Sequence, residues 1–272
     1  MEEKIYKNFY DFRQSCIEES DKYKNYFDEE MVEIPPGEQI FAPDTMRKDW
    51  VIVYQNLMCF KLINDILASD PNFREGRRKL LDVGSNFSTV SFLSVYFDVA
   101  YLECRNDLPA DSYWKLPGIP LTLLNGEAQD IPAADGSVDM ITCLHALEHF
   151  GLGRYGDTID YYGDQKALNE YERIISDDGY LLLSVPFSPN DSPRIQFHDQ
   201  RIYHYTTIDQ MLDAAGFEVK EHMFVYPIGG LRDEDGNLTI PLLHDKSTVD
   251  TTTFKREHNA VYITLSKKKK KQ

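Results

Sequence analysis

Between residues 79 and 226 short apolar runs alternate with amphipathic stretches, and no other property of the chain restricts its fold so strongly. The runs KLLDV, VAYLE, LTLLN, SVDMITCL, YLLLSVPF and GFEVKEHMFVYPI are β-branched or leucine-rich, and each is closed by polar residues or glycine. FSTVSFLSVYF reads as a helix after the first run. Residues 165–175 set Ala167, Leu168, Tyr171, Ile174 and Ile175 at helical spacing, with Asp178-Gly179 as the stop signal. Residues 206–215 open on a threonine cap and end at Gly216. Residues 50–68 are apolar on nearly every side and predict a buried helix leading to the first strand. Strands alternating with helices specify an α/β fold, a Rossmann-like and mainly parallel sheet with helices on both faces. AVYITLS follows the preceding strand without an intervening helix, so the last strand is expected to be antiparallel.

Three further segments flank or interrupt this pattern. Residues 1–45 combine Tyr6, Phe9, Tyr10, Phe12, Tyr23, Tyr26 and Phe27 with many charges before Pro35-Pro36-Gly37, and read as a helical accessory segment laid across the main domain. The main domain is expected over 46–266, with the polar stretch 229–258 as an inserted loop or lid. Residues 267–272 hold five consecutive lysines and read as a solvated tail.

Charge limits the partners. The chain carries 29 basic and 45 acidic side chains, a formal charge of −16. A phosphate backbone is bound mainly by Lys and Arg that displace counterions, so nucleic acid is an unsuitable partner, and the same field disfavours an anionic membrane surface. Cys16, Cys59, Cys104 and Cys143 lack CxxC spacing and read as reduced residues in or near the core. The N-terminus has no basic stretch followed by an apolar one, and no apolar run is of membrane-spanning length, so a soluble cytoplasmic protein is expected. Oligomeric state is not legible in the sequence.

In an open α/β sheet, ligands sit beyond the carboxyl ends of the strands. There the first run ends in Asp82-Val83-Gly84-Ser85-Asn86, where a glycine admits close backbone approach and an acid can hold a cationic or hydroxyl-bearing group. Glu103 ends the second run, with two oxygens for the two hydroxyls of a ribose. Gly126-Glu127-Ala128 follows the third, and His145-Ala146-Leu147-Glu148-His149 the fourth. The glycine turn is not a full GxGxxG and lacks the GK[ST] ending of a phosphate-binding loop.

The order of these motifs over residues 75–226 resembles the class I S-adenosylmethionine-dependent methyltransferases. DVGSN is similar to that family's acid-x-G-x-G turn, with Asn86 in place of its second glycine and Ser88 at its third small position. GEAQDIPAADGSVD is similar to its GDA-x-x-LPF-x-D-x-SFD signature, and SDDGYLLLSVP to its KPGG-x-L turn. EHFGLGRYGDTID resembles a branch often associated with surface-glycan genes. The resemblance implies S-adenosylmethionine as cofactor, held by Asp82, Gly84, Ser85, Glu103, Glu127, Ala128 and His145. It also implies a small-molecule acceptor, with transfer to a hydroxyl of a sugar or glycan precursor. Candidate catalytic residues are His145, His149, Glu148 and His198, with a histidine as general base and Glu148 setting its tautomer. Candidate substrate contacts are Arg154 and Tyr155 on the GLGRYGD loop, and Arg201 and Tyr203 after the fifth strand.

Two rival readings use the same residues. HxxEH is also an inverted zinc-protease signature, but that requires a helix presenting both histidines. A divalent cation would prefer oxygen where His145 stands, so no metal is assigned, although metal-assisted O-methylation using the cluster is an alternative. The other alternative is a non-catalytic protein that keeps the fold as a binding or partner module.

Overall fold

The computed structural model describes residues 45–70, 78–105, 121–153, 155–187, 194–196, 200–226, 242–244 and 261–270. All of the expected accessory segment 1–45 except Thr45, and with it Cys16, lies outside them. Helix α1 spans Thr45–Ser69 and leads to strand β1 (Arg78–Val83), after which α2 (Phe87–Leu93), β2 (Phe97–Glu103), β3 (Leu121–Asn125) and β4 (Val138–Leu144) follow. Then come a single 3-10 turn (Leu147–His149), α3 (Gly163–Ile174), β5 (Ile175–Pro186), the short β6 (Arg194–Gln196) and β7 (Gln200–Ile202), α4 (Tyr205–Ala214), β8 (Phe217–Tyr226), β9 (Leu242–His244) and β10 (Val261–Lys268).

Eight strands form one sheet in the order β3-β2-β1-β4-β5-β10-β8-β9. β3, β2, β1, β4 and β5 are mutually parallel, and β10 runs antiparallel between β5 and β8. This is the expected Rossmann-like α/β sheet with a reversed last strand. The chain winds from β1 outward to β3, then crosses back to β4, so the order reverses between β1 and β4 and a crevice opens beyond their carboxyl ends.

The central strands are apolar on both sides because both faces are covered. On one face Met58, Cys59, Leu62, Ile63 and Ile66 of α1, with Val90 and Leu93 of α2, pack on Leu80, Val99, Met140, Leu182 and Ile263. On the other, Ala167, Leu168, Tyr171 and Ile174 of α3, with Ile208 and Leu212 of α4, pack on Leu81, Ile141, Leu181 and Leu183. The α1 residues follow helical spacing, and among its described side chains burial falls on that stripe. Val53 and Leu57 are each 54% exposed, which corrects the reading of α1 as buried all round. No helix among the described residues is long and apolar enough to cross a membrane.

Three other expectations are corrected. Gly179 does not stop α3, which passes at Ile174 directly into β5; a Cβ at Gly179 would lie 2.5 Å from Ile175 Cγ2 and 2.8 Å from the Asp139 carbonyl, so close packing inside the strand explains the glycine. The N-cap of α4 is His204 rather than Thr206, whose hydroxyl pairs with His204 Nδ1 at 2.6 Å. Lys267 and Lys268 are the final residues of β10 and not a tail. Lys268 is buried and donates to the carbonyls of Glu172 and Ile175, both at 2.8 Å, satisfying the carboxyl end of α3. Of the stretch 229–258, the described Leu242–His244 pairs with β8 as β9. Cys59 and Cys143 are buried and Cys104 half-buried, all free thiols.

Candidate active site

The turn after β1 is built around Asp82. Its side chain is fully buried, with Oδ1 accepting from the Ser85 amide at 3.0 Å and Oδ2 from the Thr142 hydroxyl at 2.6 Å. Burial pushes this carboxyl up to about 6, against the pull of those hydrogen bonds. Ser85 Oγ in turn accepts from the Leu144 amide at 3.2 Å, and the Tyr101 hydroxyl donates to the Ser85 carbonyl at 3.3 Å. Asp82 and Ser85 therefore shape the turn from beneath and have their polar atoms engaged within the protein. Gly84, at φ +73°, carries the turn; a Cβ there would sit 2.9 Å from Ala146 Cβ. Asn86 caps α2 by accepting from the Thr89 amide at 3.0 Å, which accounts for an asparagine at that position.

Glu103 ends β2 and is almost buried. Its Oε1 accepts from the backbone amide and Nε of Arg105 at 3.0 and 2.8 Å, and its Oε2 from Arg105 Nη2 at 2.6 Å. Glu127, after β3, accepts from both the amide and the hydroxyl of Thr158 at 3.0 Å. Ala128 is buried in the core cluster under α3. The GEAQDIPAADGS segment is held by Arg173, which reaches the carbonyls of Ile131 and Ala133 and the carboxylates of Glu170 and Asp135.

After β4 the backbone turns through His145 at φ +55°, a left-handed conformation rare for a residue with a side chain. The His145 amide bonds to the carbonyl and hydroxyl of Ser184 at 3.0 and 3.1 Å, which holds the turn in place. Its Nδ1 lies 2.9 Å from Glu148 Oε1, and His149 Nε2 lies 3.8 Å from the same oxygen. Glu148 is only 1% exposed, and its Oε2 has no hydrogen-bond partner among the described residues. Burial alone would raise its carboxyl, but the charges of His145 and His149 and the His145 hydrogen bond together hold it below the usual carboxylate value. The segment is a strand end and one 3-10 turn, so the helix that a zinc protease needs is missing. Among the described residues no group of three His, Cys, Asp or Glu gathers as a metal-ligand set.

The GLGRYGD loop follows. Asp157 collects the amides of Gly151, Gly153 and Tyr155 at 2.9, 3.4 and 3.1 Å. Gly151, Gly153 and Gly156 all have positive φ, and a Cβ at Gly151 would overlap the Asp160 carbonyl. Tyr155 lies edge-on to His149 with ring centroids 5.6 Å apart, and the Arg105 guanidinium stands 5.8 Å from the Tyr155 centroid. Arg201 is a buried clamp and not an exposed substrate contact: its guanidinium donates to the carbonyls of Phe150 and Tyr161, one on each side of the loop. Asp164 accepts from the buried Tyr203 hydroxyl at 2.9 Å and lies 3.5 Å from Arg201 Nε, so Tyr203 belongs to the same brace. Arg154 and His198 lie outside the described residues.

The structure thus brings Gly84, Glu103, His145, Glu148 and His149 to the carboxyl ends of β1, β2 and β4. Because β2 and β4 flank β1, their ends are about 10 Å apart. Sequence reasoning missed Arg105, whose signal was an arginine two residues beyond Glu103, and Thr158 and Ser184, which carried none.

Comparisons with known proteins give several partial similarities. The model of a family described as Caenorhabditis protein of unknown function, DUF268, matches residues 125–251. A protein of Mycolicibacterium smegmatis named as a probable S-adenosylmethionine-dependent methyltransferase is 27% identical over 116 residues, 41% of this chain and 40% of that protein. An uncharacterized protein of Methanocaldococcus jannaschii is 26% identical over 147 residues, 54% of this chain and 58% of its own. Among solved structures, a methyltransferase of Methanosarcina mazei is 13% identical with a TM-score of 0.48, covering 74% of this chain and 98% of that one. The chain spans less than two thirds of the length of either curated relative.

Proposed function

We propose that the chain is an S-adenosylmethionine-dependent methyltransferase acting on a small acceptor, a hydroxyl of a sugar or glycan precursor. The observation that carries this reading is the set of groups at the sheet's reversal point: a bare glycine turn on β1, a two-oxygen acid on β2, and a histidine paired with a buried acid beyond β4. These residues fit the cofactor. Gly84 exposes backbone where a side chain would strike Ala146, and Glu103 stands at the end of β2 with a two-oxygen acid for a ribose diol once its contacts with Arg105 open. When bound, the cofactor supplies a methyl group on a sulfonium, already activated for transfer. The naming of the Mycolicibacterium relative as a probable S-adenosylmethionine-dependent methyltransferase supports the activity. The glycan acceptor rests on the resemblance of the EHFGLGRYGD segment.

The protein's own task is then to orient the acceptor and to remove its proton. In the tautomer that donates Nδ1–H to Glu148, Nε2 is left as the ring's acceptor. Glu148 also stabilises the imidazolium that forms when His145 takes the hydroxyl proton. His149 and Tyr155 border the same region.

Turnover tests this directly. S-adenosylmethionine and a panel of nucleotide sugars should yield S-adenosylhomocysteine, and His145→Gln should lower kcat by about 10²- to 10⁴-fold with little change in cofactor affinity. Undiminished turnover in His145→Gln would remove His145 as the base. Cofactor binding without turnover on any acceptor would favour a binding module.

A further inference from the structure

Arg105 belongs to none of the motifs described above, yet it holds the acid on which the cofactor reading depends. A carboxylate offers about four lone-pair sites. On Glu103, three are filled by the same residue: the Arg105 backbone amide and Nε on Oε1, and Nη2 on Oε2. A vicinal diol donates two hydrogen bonds, one to each oxygen, and Oε1 is already full. The diol therefore needs at least the Nε contact to open, while the backbone amide can remain and keep the carboxylate in place.

The guanidinium has somewhere to go. Its side chain is 37% exposed, against 7% for Glu103, and it stands 5.8 Å from the Tyr155 ring centroid. Losing one acid contact leaves it with water and an aromatic face. Glu103, at 7% exposure, is largely shut off from water, and the diol provides the donor that replaces the one it loses.

We propose that Arg105 is an exchangeable internal partner of Glu103, a positioning residue that holds the carboxylate aimed until a ribose diol displaces the guanidinium. The proposal rests on the cofactor reading above. It predicts an unusual sign, because removing an arginine next to the site strengthens binding.

Calorimetry on the full chain decides it with two probes, S-adenosylhomocysteine and its 2′,3′-dideoxy counterpart, which lacks both hydroxyls. Arg105→Ala should bind S-adenosylhomocysteine about three- to tenfold more tightly, and leave the dideoxy probe's affinity unchanged. Arg105→Lys, which cannot make the forked contact, should fall between wild type and Arg105→Ala and carries the test if the alanine variant does not fold. Equal or weaker binding of S-adenosylhomocysteine by the variants, or an equal shift for both probes, overturns the proposal and leaves the cofactor reading standing. If no form binds either probe at millimolar concentration, the cofactor reading fails and the proposal falls with it.

Discussion

Asp82 and Glu148 are both buried acids near strand ends, and their surroundings drive their carboxyls in opposite directions. Asp82 meets only neutral donors, so burial dominates and raises it from 3.8 to about 6. Glu148 lies between two histidines and stays below its ordinary 4.5. The folded state therefore binds the Asp82 proton more tightly than the unfolded chain does, and that carboxylate costs stability above pH 6, a cost that fades as pH falls toward 3.8. Glu148 contributes the reverse: its stabilisation is present above pH 4.5 and is lost as pH falls through its lower folded value. Asp82→Asn can keep both hydrogen bonds, with its carbonyl oxygen toward Ser85 and its amide toward Thr142. Denaturant unfolding should show this variant more stable than wild type by about 1–3 kcal/mol at pH 7.5, an advantage that shrinks at pH 4.5. A variant less stable at pH 7.5 would contradict this account of the turn.

At the scale of elements, the GLGRYGD loop is a built piece of structure whose ends are pinned by one side chain. Arg201 bonds carbonyls on both sides of it and faces a buried acid, so its removal leaves Asp164 without its cationic partner. Arg201→Ala should lower unfolding free energy by about 3–5 kcal/mol, measured by denaturant titration. A surface substrate contact would instead change KM with stability nearly untouched. Sequence spacing placed Arg201 and Tyr203 correctly after β5 but did not reveal burial, because their partner Asp164 stands on α3, remote in sequence. Gly179 misled for a related reason: the junction of α3 with β5 has no loop, and the glycine answers to a carbonyl on β4. Lys268 shows the same effect, since a charge block resembles a solvated end until a neighbouring helix offers it two carbonyls.

Across the whole molecule, the mainly parallel sheet with its reversed last strand was legible because covered parallel strands must be apolar and because each apolar run was closed by polar residues or glycine. Which acids face a ligand was less so. Asp82 stands one residue before the end of β1 and Glu103 is the last residue of β2, and Asp82 is enclosed by Ser85 and Thr142 while Glu103 meets a half-exposed arginine. The chain's net −16 lies partly in acids at the strand ends, which would suit the cationic cofactor proposed above, and partly in braces such as Asp157 and Asp164. The central claim is that the reversal point of the sheet binds S-adenosylmethionine through Glu103. Calorimetry with S-adenosylmethionine and S-adenosylhomocysteine tests it most directly. Both should bind wild-type protein, and Glu103→Ala should weaken each by about tenfold or more, the loss of a charge-assisted pair of hydrogen bonds; failure of either compound to bind at millimolar concentration, or binding indifferent to Glu103, would contradict it.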